Sequence, residues 1–408
     1  MKKISPLASS LSKKVPKIKG IKISVVNCGL KKKKKRDLVL IKLDKPSHIF
    51  GLFTKSNTPG EPIKWNKKII KNNKISALII NSGNANVFTG EEGQKAVEII
   101  ITELSKELKI PKKEIFMAST GIIGEQLDYK KILHKINILN KNLSDSQKNW
   151  GNAADAIRTT DTFPKLDFKK ININKKKIII NGIAKGSGMI APDMATMLSF
   201  IFTNVKFNDN QYFSYFKEAV DNTFNSITVD SDTSTSDMVL FVGVNDKDSF
   251  EINDIESNLF FKELEKLMKN LAFQIVKDGE GASKFIEIEV KGCKKKSIAK
   301  EIALSVANSP LVKTAISGEN SNWGRILMAV GKIKSNVDVS KISLFFGTIK
   351  IIDSGKAVKD LNENRIQRYM KKSDIKILID LNKGNFSSVV WTCDFTKEYI
   401  NINANYKT

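Results

Sequence analysis

Short, mostly aliphatic runs recur along the whole chain, and they limit the fold more than any other feature of the sequence. Each run is bounded by polar residues or by Gly and Asn clusters, a pattern that is typical of β-strands. A protein with so many strand candidates is expected to build much of its core from β-sheet. The runs are Ile21 to Val26, Leu38 to Leu43, Ala77 to Ile80, Ile178 to Asn181, Met197 to Thr203, Met238 to Val244, Phe285 to Val290, Ile342 to Ile352 and Ile375 to Leu381.

Helical periodicity appears between and beyond these runs. In Gln94 to Leu108 the apolar residues return at a spacing of about 3.6, and Tyr212 to Phe224 and Leu259 to Val276 repeat the pattern. The chain has 408 residues, of which 41% are apolar, and this is enough for two sizeable layers or domains. The residues by themselves therefore predict a mixed α/β or α+β protein. Composition places no domain boundary, because no repeat or Pro-rich linker divides the chain.

Several protein classes are made improbable by what the sequence lacks. No window approaches about eighteen uninterrupted apolar residues, and no apolar segment follows the basic N-terminus, so we predict a cytoplasmic protein with no membrane partner. Cys28, Cys293 and Cys393 are odd in number and far apart, which predicts reduced thiols. Neither His48 nor His134 lies near a second plausible ligand, so we expect no metal site and no histidine chemistry.

The net charge of +25 raises the question of a nucleic-acid partner. The excess is almost all lysine, it is spread over the chain, and it includes runs such as Lys31 to Lys35 and Lys175 to Lys177 between apolar segments. No aromatic-rich basic motif or arginine face accompanies it. We therefore interpret the charge as solvated turns and predict no nucleic-acid partner.

The segment from Gly182 to Phe200 joins a glycine-rich turn to Thr196, which opens an apolar, strand-like stretch. A threonine hydroxyl inside a chain is a weak nucleophile, but a threonine whose own nitrogen is a free amine carries its base with it. The α-amine has a pKa of about 7.7 to 8.0, so part of it is neutral near pH 7. To expose that amine, the Thr196 hydroxyl would first attack the carbonyl of Ala195, and water would then resolve the ester. Without further evidence, a buried strand threonine after a turn explains this segment equally well.

The part of this segment from Lys185 to Leu198 resembles the self-cleavage segment of the ornithine acetyltransferase (glutamate N-acetyltransferase) family. Six further segments resemble that family, and all seven occur in the family's order from near one end of the chain to the other. Seven ordered segments are far more specific than one glycine-rich turn. The further segments are Asn81 to Asn86, Ser119 to Gly124, Thr159 to Lys165, Asp278 to Lys284, Asn322 to Arg325 and Ile402 to Thr408.

The resemblance implies a set of site residues. Thr120 and Gly121 would form an oxyanion hole through a side-chain hydroxyl and a backbone N–H, and Thr196 would be the nucleophile and the residue after the cleaved bond. Taken alone, Thr120 and Gly121 are equally a strand end and a turn. The implied substrate-binding residues are Thr159, Lys185, Thr196, Glu280, Asn403 and Thr408.

The chemistry of these binding residues suits an amino acid. Lys185 can pair with an α-carboxylate and Glu280 with the δ-ammonium of ornithine. Which group meets which end of the substrate is not fixed by the sequence, and Thr160 is an alternative to Thr159. For Lys185 and Glu280 the alternative interpretation is a surface lysine and a loop carboxylate. A contact from Thr408 requires that Ser388 to Ile400 dock as ordered structure.

The resemblance also implies the reaction, the assembly and the fold. Thr196 would take acetyl from N2-acetylornithine and pass it to glutamate without a metal or an organic cofactor, and the sequence leaves open whether acetyl-CoA is a second donor. Cleavage would give an α chain of residues 1–195 and a β chain of residues 196–408, assembled as an α2β2 heterotetramer. The implied fold is a four-layer α/β/β/α arrangement similar to the DmpA-type N-terminal-nucleophile hydrolases.

Several positions depart from the family pattern. Asp193 stands where Asn is common, Ser231 stands where Gly is usual, and Ser236 stands where Asn is usual. The residues before Asn322, Gly318 to Ser321, contain no Asp, although the family commonly has an Asp there. Because Asp193 lies three residues before Thr196, we expect these changes to affect the rate of self-cleavage most. By contrast, Ser5 to Ala8 matches the family's start, which argues against a targeting peptide.

Two other functions fit parts of the sequence. An aminopeptidase or amidohydrolase on the same fold would use water as the acyl acceptor in place of glutamate. A non-catalytic basic binding protein would show no self-cleavage and a steep loss of nucleic-acid affinity with salt.

Overall fold

The computed structural model describes residues 4–8, 14–31, 35–191 and 197–405. The chain forms two compact units. The larger unit holds the described residues within 14–225 and 232–275, and the smaller holds residues 4–8, 226–231 and 276–405. Each unit contains one β-sheet and packed helices, so the predicted mixed α/β class is confirmed.

The larger unit is built on an eight-stranded sheet in the order β4-β3-β2-β8-β7-β6-β5, with β1 paired to β2. The strands are β1 (Ile21–Val26), β2 (Leu38–Phe53), β3 (Lys74–Asn84), β4 (Ile115–Ile122), β5 (Lys165–Ile173), β6 (Lys176–Lys185), β7 (Leu198–Thr203) and β8 (Met238–Gly243). The helices are α1 (Glu61–Ile69), α2 (Gly90–Leu108), α3 (Tyr129–Lys141), α4 (Lys148–Ala156), α5 (Phe213–Asn222) and α6 (Asp254–Lys277), and three 3-10 turns lie at Ile70–Asn72, Lys112–Glu114 and Phe224–Ser226.

This sheet is covered on both faces, which explains why its central strands carry long aliphatic stretches. Alternate residues of β2 enter two different cores: Val39 and Ile41 pack in one, while Leu38 and Leu40 pack in the other. The first core includes Trp150 of α4, and the second includes the apolar faces of α2 and α3. A strand buried on both sides has no polar face to alternate with.

The smaller unit is built on a six-stranded sheet in the order β12-β11-β10-β13-β9-β14. Its single core packs the sheet against α7, α8 and α9. The strands are β9 (Phe285–Cys293), β10 (Ser343–Phe346), β11 (Ile349–Asp353), β12 (Lys356–Ala357), β13 (Asp374–Asp380) and β14 (Phe386–Cys393), and the helices are α7 (Lys296–Ala307), α8 (Pro310–Ser317), α9 (Trp323–Gly331), α10 (Glu363–Met370) and α11 (Lys397–Asn405).

The predicted strands and helices are present, although several extend beyond the expected bounds, as β2 and β3 do, and one expected strand is divided. Residues 342–352 were expected to be one strand, but they form β10 and β11, an antiparallel pair that turns at Gly347 with φ of 58°. Only glycine enters that region of backbone space freely, so this residue marks the turn. The expected ordering of Ser388 to Ile400 is confirmed, since most of it lies in β14 and α11.

The bond between residues 195 and 196 falls between two strands of one sheet. Strands β6 and β7 are antiparallel neighbours, with Lys185 opposite Leu198, and β7 pairs with β8 on its other side. The connecting residues 192–196 lie outside the described part of the chain. Both strands belong to the larger unit, so this bond does not separate the two compact units. Among the described residues, no helix has the length and apolar character needed to cross a membrane.

Candidate active site

The structure describes six of the predicted site residues. Thr120, Gly121, Thr159 and Lys185 belong to the larger unit. Glu280 and Asn403 belong to the smaller unit. The remaining predicted residues, Ala195, Thr196 and Thr408, lie outside the described residues, as does Asp193.

Thr120 and Gly121 lie at the end of β4, where the backbone comes very close to β3. Gly121 has φ of 136°, and a Cβ on it would lie 2.4 Å from the carbonyl carbon of Gly83 and 2.5 Å from the nitrogen of Asn84. No side chain fits in that space, so both the conformation and the packing require glycine at position 121. The strand end that carries the predicted oxyanion hole is therefore fixed by its backbone contacts.

Asp37 helps to position the end of β4 through the loop of residues 28–31. Its buried carboxylate accepts N–H bonds from the four successive residues 28–31, at 2.6 to 3.1 Å. These bonds hold the loop so that the carbonyl oxygen of Leu30 would lie 3.0 Å from a Cβ on Gly83. Since Gly83 in turn abuts Gly121, a carboxylate far outside the predicted motifs helps to set the position of the strand end.

Lys185 and Thr120 are in direct contact. Lys185 ends β6, and strands β3, β2, β8 and β7 lie between β6 and β4 in the sheet order, yet its Nζ donates a hydrogen bond of 3.0 Å to Thr120 Oγ1. Both residues are buried, so the interpretation of Lys185 as a surface lysine is wrong. A hydroxyl oxygen that accepts from an ammonium group turns its own hydrogen elsewhere, where it can be donated. The contact thus prepares Thr120 to act as a donor.

Asp161 connects this pair to the segment that contains Thr159. One oxygen of its buried carboxylate accepts from Lys165 Nζ at 2.6 Å and from the Gly186 N–H at 2.7 Å, and the other accepts from the Thr159 N–H at 3.0 Å. Burial by itself would raise the pKa of Asp161, but Lys165 and Lys185 together with these hydrogen bonds hold it below its ordinary value. Asp161 is therefore charged, and it holds the segment beside Gly186 in place.

The two neighbouring threonines make different contacts. The Thr159 N–H is bonded to Asp161, while the Thr160 hydroxyl lies 2.9 Å from the hydroxyl of Ser187. Both residues thus lie against the turn that follows Lys185, and this placement is compatible with either threonine as the substrate contact.

Asp237 is a second buried carboxyl near Lys185, and its state is opposite to that of Asp161. It immediately precedes β8, and its side chain is fully buried. Burial raises its pKa well above the ordinary value, and the opposing influence of Lys185 is smaller. Burial therefore favours the protonated form of Asp237, in contrast to Asp161.

In the smaller unit, Glu280 lies in the turn formed by residues 278–284, which we call the Glu280 loop. Asp394 anchors this loop by accepting from the Ser283 N–H at 2.8 Å, the Ser283 hydroxyl at 2.6 Å and the Lys284 N–H at 2.8 Å. A Cβ on Gly281, whose φ is 74°, would lie 2.6 Å from the nitrogen of Tyr399. The loop is consequently clamped against the segment that leads to the C-terminus.

The clamp brings the predicted residues Glu280 and Asn403 together. Asn403 lies on α11, and its Nδ2 donates a hydrogen bond of 2.8 Å to Glu280 Oε2. Glu280 is buried in its loop whereas Asn403 is exposed. In the smaller unit, the predicted Glu280 is therefore a buried carboxylate whose described side-chain partner, Asn403, is exposed.

The other reactive side chains of the described residues are poor candidates for chemistry. All three cysteines are free and buried, and burial raises the pKa of Cys28 to about 12 and that of Cys393 to about 11. Burial lowers the pKa of His48, whose ring is 3.2 Å from Asn210. Within the described residues, no group of three or more His, Cys, Asp or Glu side chains has the geometry of a metal site.

Sequence reasoning missed four aspartates that shape these two groups. Asp161 could have been found, because it lies four residues before Lys165 inside a predicted segment. Asp237 ends a polar run beginning at Asp230 but gave no local sign of burial. Asp37 and Asp394 carry no sequence signal at all, since most of their partners are backbone N–H groups of other loops.

Comparison with known proteins gives matches over the whole chain. Residues 22–408 match the ArgJ family. The arginine biosynthesis bifunctional protein ArgJ of Brucella melitensis is 42% identical over 99% of each chain, and the protein of the same name from Bartonella henselae is 42% identical over 99% of each. A solved structure of the Bacillus halodurans protein argJ is 34% identical, with a TM-score of 0.47 over 50% of this chain and 96% of that chain.

Proposed function

This chain belongs to the ArgJ family, and we propose that it is an acyltransferase of arginine biosynthesis that moves acetyl from N2-acetylornithine to glutamate. The relatives that match it over their full length are named as arginine biosynthesis proteins. The proposed reaction is an exchange of one amide for another. Its central requirements are a nucleophile that can carry the acetyl group and donors that stabilise a tetrahedral oxyanion.

The observation that best supports this proposal is the contact between Lys185 and Thr120. Each residue was assigned to the site from a different segment of the sequence, and they are 65 positions apart. In the folded protein the Lys185 Nζ donates to the Thr120 hydroxyl inside a buried network. A surface lysine and an ordinary strand threonine would not meet in this way. Thr120 and the Gly121 N–H are the proposed oxyanion donors.

Thr196 is the proposed nucleophile, and it becomes one in two steps. Its hydroxyl attacks the carbonyl carbon of Ala195, and the bond from that carbon to the Thr196 nitrogen breaks, leaving an ester and a free α-amine. Water then hydrolyses the ester, which restores the hydroxyl and releases Ala195 as a C-terminal carboxylate. The new amine, with a reference pKa of about 7.7 to 8.0, can accept the proton of the hydroxyl beside it.

The mature threonine then carries the acetyl group. Its oxygen attacks the acetyl carbonyl of N2-acetylornithine, while its amine takes the hydroxyl proton and delivers it to the departing nitrogen, so that ornithine leaves and acetyl-Thr196 remains. The α-amine of glutamate attacks the ester in the reverse sense and leaves as N-acetylglutamate. Each tetrahedral oxyanion lies in the same hole, where removal of one donor typically costs about 10² to 10³ in rate.

Recognition of the amino-acid substrates is assigned to the two buried charges. Lys185 is proposed to meet the α-carboxylate, and Glu280 the δ-ammonium of ornithine. Thr159, Thr196, Asn403 and Thr408 supply further contacts. Charge-assisted hydrogen bonds of this kind are about twice as strong as neutral ones, and the burial of both side chains favours that role over solvent exposure.

We further propose a cytoplasmic α2β2 assembly of residues 1–195 and 196–408, on the four-layer α/β/β/α arrangement. The pairing of β6 with β7 supports a stable cleaved form, because both strands would keep their sheet hydrogen bonds after the chain is cut. Neither a metal nor an organic cofactor is needed, since the threonine carries the acetyl group.

The first test is an intact-mass measurement of the purified protein beside Thr196→Ala. We expect two fragments that meet between Ala195 and Thr196, and a single uncut chain for the variant. An uncut chain in both preparations, together with no acetyl transfer, would contradict the proposal. It would also favour a non-catalytic basic protein, for which affinity for nucleic acid should fall steeply with salt.

The acyl acceptor is tested on the cleaved protein. Acetyl-enzyme formed from N2-acetylornithine should persist in buffer and be discharged rapidly by glutamate. Equal lifetimes with and without glutamate would instead identify an amidohydrolase that uses water. Because the relatives are named bifunctional, acetyl-CoA should be tried as a donor in the same assay.

A further inference from the structure

The carboxyl of Asp237 has an unusual environment. The residue is 1% exposed, and neither of its carboxyl oxygens accepts a hydrogen bond from the described residues. A buried polar group without a partner is costly, and a buried charge without one is more costly still. Such a group calls for an explanation, and a functional role at a site is one of the recognised explanations.

The main chain at Asp237 is held firmly, so the unpaired side chain does not result from a loose loop. The Asp237 carbonyl accepts from the Thr54 N–H at 3.0 Å, and the Thr54 hydroxyl donates to the carbonyl of Ser234 at 2.6 Å. The Met238 N–H donates to the carbonyl of Met197 at 3.1 Å. The carboxyl therefore has a fixed position beside the start of β7.

Two polar neighbours and one charge act on this carboxyl. The Met197 N–H and the Ser234 hydroxyl both favour its ionised form, as does the ammonium of Lys185 from the end of β6, although no hydrogen bond to the described residues is completed. On the α1 side, Lys67 Nζ donates to the carbonyl oxygen of Thr54 at 2.9 Å. A cation placed at the Asp237 carboxyl would further favour its ionised form.

Comparison with Asp161 shows what Asp237 lacks. Both aspartates are buried, and the positive charge of Lys185 lowers the pKa of each. Asp161 also accepts hydrogen bonds from the Lys165 ammonium at 2.6 Å and from two backbone N–H groups. The pKa of Asp161 lies below its ordinary value and that of Asp237 lies well above. What distinguishes the two sites is a directly bonded ammonium group together with two backbone N–H donors.

We propose that Asp237 is the counter-ion of a primary ammonium group in the active site. This inference rests on the proposed function, which contains two α-amines: the one that cleavage would create on Thr196, and that of the amino-acid substrate. The third primary amine, at the δ position of ornithine, is already assigned to Glu280. Met197 is bonded to Thr196, so the peptide N–H beside Asp237 is the one that follows the proposed nucleophile. An ammonium carries three donors and a positive charge, which match the two unpaired oxygens.

The role is one of positioning and of setting the proton affinity of the amine. A carboxylate beside an ammonium raises the pKa of the amine, by the same Coulomb attraction that lowers the pKa of an acid beside a cation. Asp237 and the amine would share one proton between them and would titrate as a pair. The amine must be neutral to accept the proton of the attacking hydroxyl, so the pair sets the lower pH limit of the reaction.

The test is Asp237→Asn, which keeps the size of the side chain and removes its charge. The cleaved variant and the unaltered protein are compared in two half-reactions across a range of about pH 5 to 9. The first is acetyl-enzyme formation from N2-acetylornithine, in which the substrate has no free α-amine. The second is discharge of the acetyl-enzyme by glutamate. Removing the carboxylate should move the acidic limb of the profile to lower pH by about one unit or more.

The pattern of shifts identifies the amine. A shift in both half-reactions assigns Asp237 to the amine of Thr196, and a shift in glutamate discharge alone assigns it to the substrate amine. Unchanged profiles in both half-reactions overturn the inference. Asp167→Asn is the matched control, since Asp167 is a buried carboxylate of the same unit that already has a partner, Asn270 Nδ2 at 2.8 Å. This control should leave both profiles in place.

A second measurement does not depend on the folding of a variant at Asp237. Infrared difference spectra detect the C=O band of a protonated carboxyl, which should be present in uncut Thr196→Ala and absent from the cleaved protein, or should disappear when glutamate is added. A band that survives both changes overturns the inference. If the unaltered protein neither cleaves nor transfers acetyl, the proposed function fails, and the band with added glutamate still tests the ammonium site.

Discussion

The two groups of predicted site residues are built in opposite ways. In the larger unit, Asp161, Lys165, Lys185 and Thr120 form a buried network in which the carboxylate is satisfied by an ammonium and by backbone N–H groups. In the smaller unit, Glu280 is held by a clamped loop, and its described side-chain partner is the exposed Asn403. The first group is buried and closely hydrogen-bonded, whereas the second places a buried carboxylate beside an exposed side chain.

The difference separates two tasks of an acyl transfer enzyme. Donors that stabilise an oxyanion must be in place before the reaction, because reorienting them during it would cost part of what they contribute. A group that recognises substrates must instead become accessible as amino acids bind and leave. We therefore expect changes in the larger unit to affect stability and rate, and changes around Glu280 to affect substrate affinity.

The largest expected effect is on stability, from Asp161→Ala. This change leaves the buried ammonium of Lys165 without its bonded carboxylate, and breaking a buried pair from one side typically costs about 3 to 5 kcal/mol. The free energy of unfolding, measured with denaturant, should fall by that amount. Glu91→Gln is the control, since its pair with Lys95 is exposed and 3.7 Å long and such pairs contribute about 0 to 1 kcal/mol. An equal loss of stability in the two variants would show that the buried pair contributes no more than an exposed one.

The same network should show a defined dependence on pH. The pKa of Asp161 is below its ordinary value in the folded protein, so its stabilising contribution is present above the unfolded pKa of about 3.9 and is lost as the pH falls below it. The stability difference between the unaltered protein and Asp161→Asn should be constant near neutral pH and should narrow below about pH 4. A difference that grew on acidification would contradict this sign.

The next largest effect is expected on rate, from Thr120→Val. Loss of the hydroxyl should lower kcat for acetyl transfer by about 10² to 10³ with little change in KM, as for other oxyanion donors. Thr120→Ser should keep most of the activity. Thr203→Val is a matched control, because Thr203 is a buried strand threonine of the same unit whose hydroxyl bonds the carbonyl of Ile179. A change confined to KM would place Thr120 in recognition instead of catalysis.

A change in affinity is expected from Glu280→Gln. Hydrogen bonds to charged groups contribute about 1.5 to 3 kcal/mol, so KM for N2-acetylornithine should rise about 10- to 100-fold while kcat stays within about threefold. Glu287→Gln is the control in the same unit, where the carboxylate accepts from Trp391 Nε1 at 2.9 Å. A large loss of kcat with unchanged KM would show that the Glu280 loop takes part in the chemistry.

The smallest effect is expected from Asn403→Ala. The Asn403 amide donates one neutral-to-charged hydrogen bond to Glu280 from an exposed position, and solvent can replace part of it. A rise in KM of about two- to tenfold is expected, in line with a typical net contribution of about 0.5 to 1.5 kcal/mol. A loss as large as that of Glu280→Gln would mean that Asn403 contacts the substrate more strongly than it supports Glu280.

Local patterns in the sequence predict the mixed α/β class, many of the strands and helices, and the segments that carry the predicted site residues. Its strands appeared as aliphatic runs because both faces of the larger sheet are covered, and its helices appeared through their apolar spacing. These patterns involve only a few neighbouring residues, so they can be recognised without knowing how the rest of the chain folds. Residues 342–352 show the limit, since a glycine turn inside an apolar run made one expected strand into two.

Which of the site residues meet, and which charge state their surroundings favour, depends on the folded chain. The contact between Lys185 and Thr120, the anchoring of the Glu280 loop by Asp394, and the opposite pKa shifts of Asp161 and Asp237 all depend on partners far away in the sequence. Burial and charge pairing are set by everything that surrounds a side chain, so two aspartates that look alike in the sequence have pKa values shifted in opposite directions.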